Sequence, residues 1–259
     1  MKISSHLLLA LAASAFAPLT AHAQLVTGFE SPFTPGALSG QQGWGVSTSG
    51  GVAAANANIV TTSPITGAQS LQLTDQTTTT NGTVTGAFSP VFTPVSGQTI
   101  TSVDIRIDGV TPGTAGGADY YIAPQSTTEA KILTRVNFNY LGPIRILDKL
   151  SATSTTLSYV NTGLNWTPGT KYTVSIITDA AANTLKYQIN GVQVYTAVNG
   201  LYAATTVNQM VLTSDNFQVA GESATFDNLS ITSNPVPEPA TMAVLGLGAA
   251  ALLRRRRKA

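Results

Sequence analysis

Apolar and polar residues alternate in short runs along most of this chain. Val103, Ile105 and Ile107 alternate with Asp104, Arg106 and Asp108, and Tyr172, Val174 and Ile176 alternate with Lys171, Thr173 and Ser175. A period of two sends each set to its own face, which predicts half-buried antiparallel strands. A third run puts Ile132, Thr134, Val136, Phe138 and Tyr140 on one face and Lys131, Arg135, Asn137 and Asn139 on the other, with only Leu133 out of step. Leu185, Tyr187 and Ile189 lead into Asn190-Gly191 and then Val192 and Val194. Asn-Gly accepts the positive φ angles of a type I′ turn, so this segment reads as a hairpin. Gly109 to Gly117 and Thr77 to Gly82 read as polar loops. Turn signals recur roughly every 8 to 12 residues and no long stretch carries a helical period, so the body is expected to be an all-β antiparallel sandwich.

The two ends break this pattern. Met1 and Lys2, the apolar stretch Leu7 to Ala17, and Ala21-His22-Ala23 before Gln24 have the layout of an export signal. Residues 1–23 are therefore expected to form a signal helix that signal peptidase removes between Ala23 and Gln24. At the other end stand Pro237-Glu238-Pro239, an apolar run from Met242 to Leu253, and the cations Arg254, Arg255, Arg256, Arg257 and Lys258. Prolines in succession keep a segment extended and reachable by a protease. The apolar run predicts a hydrophobic helix, and the cations hold the terminus on the cytoplasmic side of a membrane, leaving everything before them outside. The thirteen residues Thr241 to Leu253 rise only ~20 Å as a helix against a hydrocarbon core of ~30 Å, short for a permanent anchor. A nucleic-acid role for the cations is disfavoured by their place directly behind an apolar run.

These three ordered features resemble the PEP-CTERM sorting signal of Gram-negative bacteria that make exopolysaccharide. The resemblance implies a membrane-bound exosortase as partner, processing near the Pro-Glu-Pro, an inner-membrane intermediate, and delivery to the cell surface or extracellular matrix. The chain then divides into a signal peptide (1–23), a β-sandwich (24–233) and a sorting tail (234–259).

Composition narrows the chemistry of the body. Between Gln24 and Asn234 there are seven lysines and arginines against eleven aspartates and glutamates, a formal charge of −4. Both histidines, His6 and His22, precede that segment, and the chain has no cysteine. Ser-His-Asp and Cys-His nucleophilic sites, the usual zinc ligand sets and disulfides are thereby excluded from the body.

The strand, Asn-Gly turn and strand from Leu185 to Val194 resemble those of laminin G-like and concanavalin A-like jelly rolls, with Trp166, Thr167-Pro168-Gly169 and the Tyr172 strand in the same neighbourhood. Gly28-Phe29-Glu30, Gly43-Trp44, Gly67 to Leu71 and Phe226-Asp227-Asn228-Leu229 resemble jelly-roll carbohydrate-binding modules. In such modules an acidic residue on the first strand and one on the last sit together at a structural calcium. That implies a calcium site at Glu30 and Asp227, with Asn228, where carboxylates and carbonyls supply the six to eight oxygens the ion takes. Ala224 and Phe226 share one parity while Leu229 and Ile231 share the other, so a bulge near Asp227 or Asn228 is expected to re-aim these side chains. The alternative is a solvated or turn-capping carboxylate.

For sugar contact the aromatic candidates are Trp44, Trp166, Tyr120, Tyr121, Tyr140 and Tyr202. Core packing competes for each, and is favoured for both tryptophans. Adjacent strand residues face opposite ways, so one of Tyr120 and Tyr121 is expected to look outward. No ligand-binding residue is singled out. Catalysis is disfavoured: Asp104 and Asp108 share a face but would stand ~13 Å apart, too far for a glycosidase pair, and Glu30, Glu129 and Glu222 are widely separated. The glucanase motif of two glutamates flanking an aspartate is absent, although a carboxylate pair assembled from different strands stays open. The reading is a non-catalytic glycan-binding protein that contacts extracellular polysaccharide. A purely structural matrix protein and, further off, a glycoside hydrolase or lyase are the alternatives.

Overall fold

The computed structural model describes residues 22–48, 56–74, 83–94, 97–154, 156–216 and 221–234. The expected signal helix, the hydrophobic helix and sorting tail, and the Thr77 to Gly82 turn lie outside these residues. Among the described residues no helix is long and apolar enough to cross a membrane.

The chain folds as two antiparallel sheets. Strands β1 (His22–Thr27), β2 (Gly36–Ala37), β3 (Gly45–Thr48), β4 (Ala57–Val60), β5 (Ser70–Thr74) and β6 (Thr83–Phe88) come first. Then follow β7 (Gln98–Asp108), β8 (Asp119–Ser126), β9 (Lys131–Ile132), β10 (Val136–Phe138), β11 (Pro143–Asp148) and β12 (Ser158–Asn165). The last are β13 (Lys171–Asp179), β14 (Thr184–Ile189), β15 (Val192–Thr196), β16 (Gln209–Asn216) and β17 (Ser223–Asn234). One sheet runs β15-β14-β13-β7-β17-β5-β4-β2 with β1 also on β17, and the other runs β12-β11-β10-β8-β16-β6-β3 with β9 on β8.

The inward sets are those the alternation marks. Val103, Ile105, Ile107, Val174, Ile176, Ala224 and Phe226 from the first sheet pack with Tyr120, Ile122, Phe138, Ile144, Ile146 and Leu212 from the second. Burying a large aliphatic or aromatic side chain contributes roughly 1.5–3 kcal/mol, and with no disulfide this layer is what holds the sheets together. The Asn-Gly hairpin forms as expected, with Asn190 at φ 52 and Gly191 at φ 77 between β14 and β15. Trp44 and Trp166 are core residues, and the Trp166 indole donates to the Asn139 carbonyl at 2.7 Å.

Three details differ from the sequence reading. The run 131–140 is not one strand: it breaks between β9 and β10, because Leu133 and Val136, three residues apart, both point into the core. A period of two cannot do that without an interruption, and Leu133 N–H bonds the Pro124 carbonyl at 3.0 Å to bridge it. Second, β1 begins at His22, two residues before the expected mature start at Gln24. Third, Glu30 lies just beyond β1 in a turn rather than on the strand.

Candidate functional site

The first sheet contains a fork. β17 has β7 along one edge, while its other edge is shared: Ser223–Phe226 pair with β5 and Leu229–Ser233 with β1. At the handover the β17–β7 register shifts between Asp227 and Ser230, which is the bulge expected from the parity change, and Asn228 adopts φ 47. β1 ends and β5 begins there, so the turn Gly28–Glu30 and the loop before Ser70 meet at Asp227 and Asn228. Phe29, at φ 57, drops its ring into the core against Phe33 (5.6 Å) and Trp44 (5.3 Å), which turns Glu30 toward the same place.

The three residues named for calcium are therefore brought together, and they also tie the loop down. Asp227 is fully buried; its Oδ2 accepts from Thr66 N, Thr66 Oγ1 and Ser70 Oγ, each at 2.9 Å, and its Oδ1 from Asn228 N at 2.8 Å. Glu30 Oε1 accepts from Ala68 N (2.8 Å) and Gln69 N (3.1 Å). A side chain on Gly67 would collide with that oxygen, so the loop needs glycine there, at φ 60. Asp227 Oδ1, Asn228 Oδ1 and Glu30 Cγ all lie within 4 Å of the point a Gly28 Cβ would occupy. Among the described residues neither carboxylate is ion-paired, whereas neighbouring Asp104 pairs with Lys171 at 3.2 Å. Asp227 Oδ1, Asn228 Oδ1 and the Glu30 carboxylate form an all-oxygen set of the kind a hard cation such as Ca²⁺ takes, while Asp227 Oδ2 is already filled by three donors. No third acidic side chain joins them among the described residues, so carbonyl oxygens would complete the shell.

A second cluster covers the outward face of the other sheet. Residues alternate there with the core set, and their registers align in one row: Ser47, Gly86, Thr213, Tyr121, Asn137, Arg145 and Asn161. Six strand spacings make the row about 29 Å long. Arg145 Nε donates to Asn137 Oδ1 at 2.8 Å, and its Nη2 reaches Asp119 Oδ2 at 3.4 Å. Arg145 Cζ also stands 4.8 Å from the Tyr159 ring centroid, and Arg135 Cζ 4.9 Å from that of Tyr121, both in cation–π range. The two tyrosine rings are 6.5 Å apart.

Asp119 is saturated: Oδ1 accepts from Asn139 Nδ2 and Tyr140 N, both at 2.7 Å, and Oδ2 from Tyr121 hydroxyl at 3.1 Å besides Arg145. Burial, with Asp119 next in effect, drives the Tyr121 phenol far above its ordinary range, so it stays a donor. Asp215 is the register partner of Asp119 on β16, and burial, followed by the Asp119 charge, raises its pKa while Arg135 opposes the shift.

Of the aromatic candidates, Tyr120 faces the core and Tyr121 lies on the opposite side of β8, as the alternation requires, but is only 9% exposed beneath Arg135. Tyr202 turns its hydroxyl to the Leu147 carbonyl at 2.5 Å in a buried network with Thr134 and Tyr187, which makes it structural. Tyr140 is half-buried and held through its backbone by Asp119. Sequence reasoning missed Tyr159, Arg135, Arg145 and Asn137 as a group. Alternation alone puts Arg135 and Asn137 on the polar face, but does not give the cross-strand register that aligns β8, β10, β11 and β12.

This architecture is an antiparallel jelly roll of the concanavalin A-like kind, and comparison with solved structures agrees. The chain is similar to an endo-1,3-beta-glucanase from Streptomyces sioyaensis (13% identity, TM-score 0.57, 85% of this chain and 99% of that one). It is also similar to the endo-beta-1,4-glucuronan lyase from the fungus Trichoderma reesei (10% identity, TM-score 0.52, 82% and 96%). A sialidase matches at 12% identity and TM-score 0.55 over 82% of this chain, which spans only 18% of that protein. At these identities the likeness is one of fold. No curated protein sequence matches the chain. Residues 235–258 match the PEP-CTERM protein-sorting motif. The chain thus carries the mark of an exosortase-sorted protein, exported and held at the membrane before sorting.

Proposed function

We propose that the chain is a surface or exopolysaccharide-matrix protein of a Gram-negative bacterium that binds extracellular polysaccharide without cleaving it. Signal peptidase would cut between Ala23 and Gln24, leaving Gln24–Thr27 of β1 paired to β17. The observation that carries the binding role is the outward row of the second sheet. It offers the exposed Tyr159 ring and polar groups spaced along about 29 Å, which suits an extended polymer.

The non-catalytic reading is supported by Asp119. It and Asp215 are register partners on neighbouring strands, yet both oxygens of Asp119 are already engaged by four donors. A carboxylate so occupied makes a poor base or nucleophile. We also propose that Glu30, Asp227 and Asn228 hold a structural calcium that braces the fork between β1 and β5.

The test is binding of the full chain, kept in a sugar-free polyoxyethylene detergent, to a panel of bacterial and plant polysaccharides, with product sizes followed in parallel. Saturable binding without shortening is expected. Shortening that disappears in Asp119→Asn or Asp215→Asn would replace this reading with the hydrolase or lyase one. Absence of binding by folded protein would favour a purely structural matrix role.

A further inference from the structure

Two segments expected to meet a membrane join the sandwich at one pole. β1 starts at His22 opposite Ser233, so the expected leader precedes it there, and β17 ends at Asn234 opposite Gln98. Met242, the start of the apolar run, follows eight residues later, at most about 28 Å away at full stretch. Register and loop contacts fix what else stands at this pole. Asp179 also faces Gln98, which brings the turn between β13 and β14 here. Asn183 Oδ1 accepts from Leu201 N at 3.1 Å, and Asn199 Nδ2 donates to the Lys149 carbonyl at 2.5 Å, so the loop after β15 ties that turn to the loop after β11. Thr205 N donates to Glu129 Oε2 at 3.0 Å, adding the turn between β8 and β9, and Phe92 N donates to the Asn208 carbonyl at 2.9 Å, adding the loop after β6.

These loops carry Val91 (58% exposed), Leu150 (50%), Leu157 (42%) and Val198 (62%), four of the nine large apolar side chains exposed among the described residues. Scattered singly they would need no explanation; gathered on the loops of one pole they make an apolar end. The charges are sorted too. Among the described residues this pole holds Lys131, Lys149 and Lys186 against Glu129, Asp148 and Asp179, so the whole −4 falls on the rest of the body. Asp148 is fully buried and Glu129 is held by Thr205 and Thr206, whereas Lys131 is exposed. An apolar end with available cations, on a body otherwise acidic, complements an anionic bilayer surface. We propose that this pole docks on the anionic membrane surface while the sorting tail holds the protein there, with Leu150, Leu157 and Val198 entering the headgroup region and Lys131 and Lys149 facing the phosphates. The inference rests on the membrane-held stage that the sorting motif marks. So few partly exposed side chains bind a bilayer weakly alone, and the tail supplies the effective concentration that keeps them there. The outward row of the second sheet runs across the strands, so docking at their ends leaves it uncovered.

The chain has no cysteine, so single cysteines at exposed positions can report where each pole sits. The full chain is reconstituted through its tail into vesicles of equal parts phosphatidylcholine and phosphatidylglycerol, with a fluorophore on Leu150→Cys or Val198→Cys, or at the opposite pole on Leu141→Cys or Val192→Cys; circular dichroism verifies the fold. Nitroxide-headgroup lipids should quench the first pair and spare the second. Lys131→Gln combined with Lys149→Gln, or vesicles of phosphatidylcholine alone, should lower the docked-to-free ratio about tenfold or more. Equal quenching at both poles, quenching at neither, or quenching of the first pair that ignores those two changes would describe a body tethered without docking and overturn the inference. Protection of Leu150→Cys and Val198→Cys from a water-soluble maleimide that persists in detergent and rises with protein concentration would assign the pole to a second copy and overturn it as well. A chain that does not float with the vesicles would remove the membrane-held stage itself, and the inference with it.

Discussion

Replacing Asp227 with alanine should destabilise the protein through one identifiable loop. The buried carboxylate accepts from Thr66 N, Thr66 Oγ1, Ser70 Oγ and Asn228 N. Thr66 is exposed, so water replaces much of what its two donors lose, at about 0.5 kcal/mol each. Ser70 is fully buried, and its hydroxyl proton would be stranded at a cost of about 1–3 kcal/mol. The sum, about 2–4 kcal/mol, is a large share of a typical domain stability of about 5–15 kcal/mol. The assay is urea unfolding of the parent, Asp227→Ala, Ser70→Ala and the double variant, with calcium added and with calcium chelated. The cycle should return a coupling of about 1–3 kcal/mol between Asp227 and Ser70, because the double variant no longer strands the hydroxyl. Chelation should lower the midpoint of the parent, as for any ligand bound only by the native state, and leave Asp227→Ala unmoved. A change of less than ~0.5 kcal/mol in Asp227→Ala would refute the loop-anchor argument, and a parent midpoint indifferent to chelation would discard the calcium site.

Further predictions concern charge and sorting. Asp215 has its folded pKa raised by burial and then by Asp119, so its contribution to stability is present below the unfolded value of 3.8 and is lost as pH rises through the folded one. Asp215→Asn should therefore raise the urea midpoint at pH 7 relative to the parent and bring no gain in strong acid; a destabilised variant at pH 7 would contradict this. Glu129 is held below the usual 4.5 first by the Thr206 hydroxyl and also by the Thr205 and Thr206 amides, so its stabilisation is present above that value and fades as pH falls through the lowered one. Thr206→Val should shift the Glu129 titration upward in carboxyl NMR, and an unshifted curve would show that the hydroxyl does not set it. Substituting Glu238, or deleting Arg254 to Lys258, should abolish delivery to the surface; delivery unaffected by both changes would end the sorting account.

What the sequence discloses and what it hides follow from the range of the interactions involved. Nearest-neighbour alternation was enough to orient Tyr120 inward and Tyr121 outward, to place the Asn190-Gly191 hairpin, and to locate the bulge from the parity change between Phe226 and Leu229. Glu30 and Asp227 meet because β1 and β17 pair, which only the resemblance to jelly-roll modules suggested. The break at Leu133 was visible as one residue out of step, but its meaning depends on the Pro124 carbonyl of a neighbouring strand. The proposed glycan face was hidden more deeply. Arg145 and Tyr159 are ordinary strand residues until β11 is set between β10 and β12, and a one-residue slip would send Asn137 to the other side of the sheet.

The most direct test of the account is hydrogen–deuterium exchange of the full chain with and without a saturating polysaccharide that it binds. Added protection is expected in peptides from β8, β10, β11 and β12, around Tyr121, Asn137, Arg145 and Tyr159, with the outer face of the first sheet unchanged. Protection confined to the first sheet, or none at saturation, would contradict the claim that this face is where the protein meets its glycan.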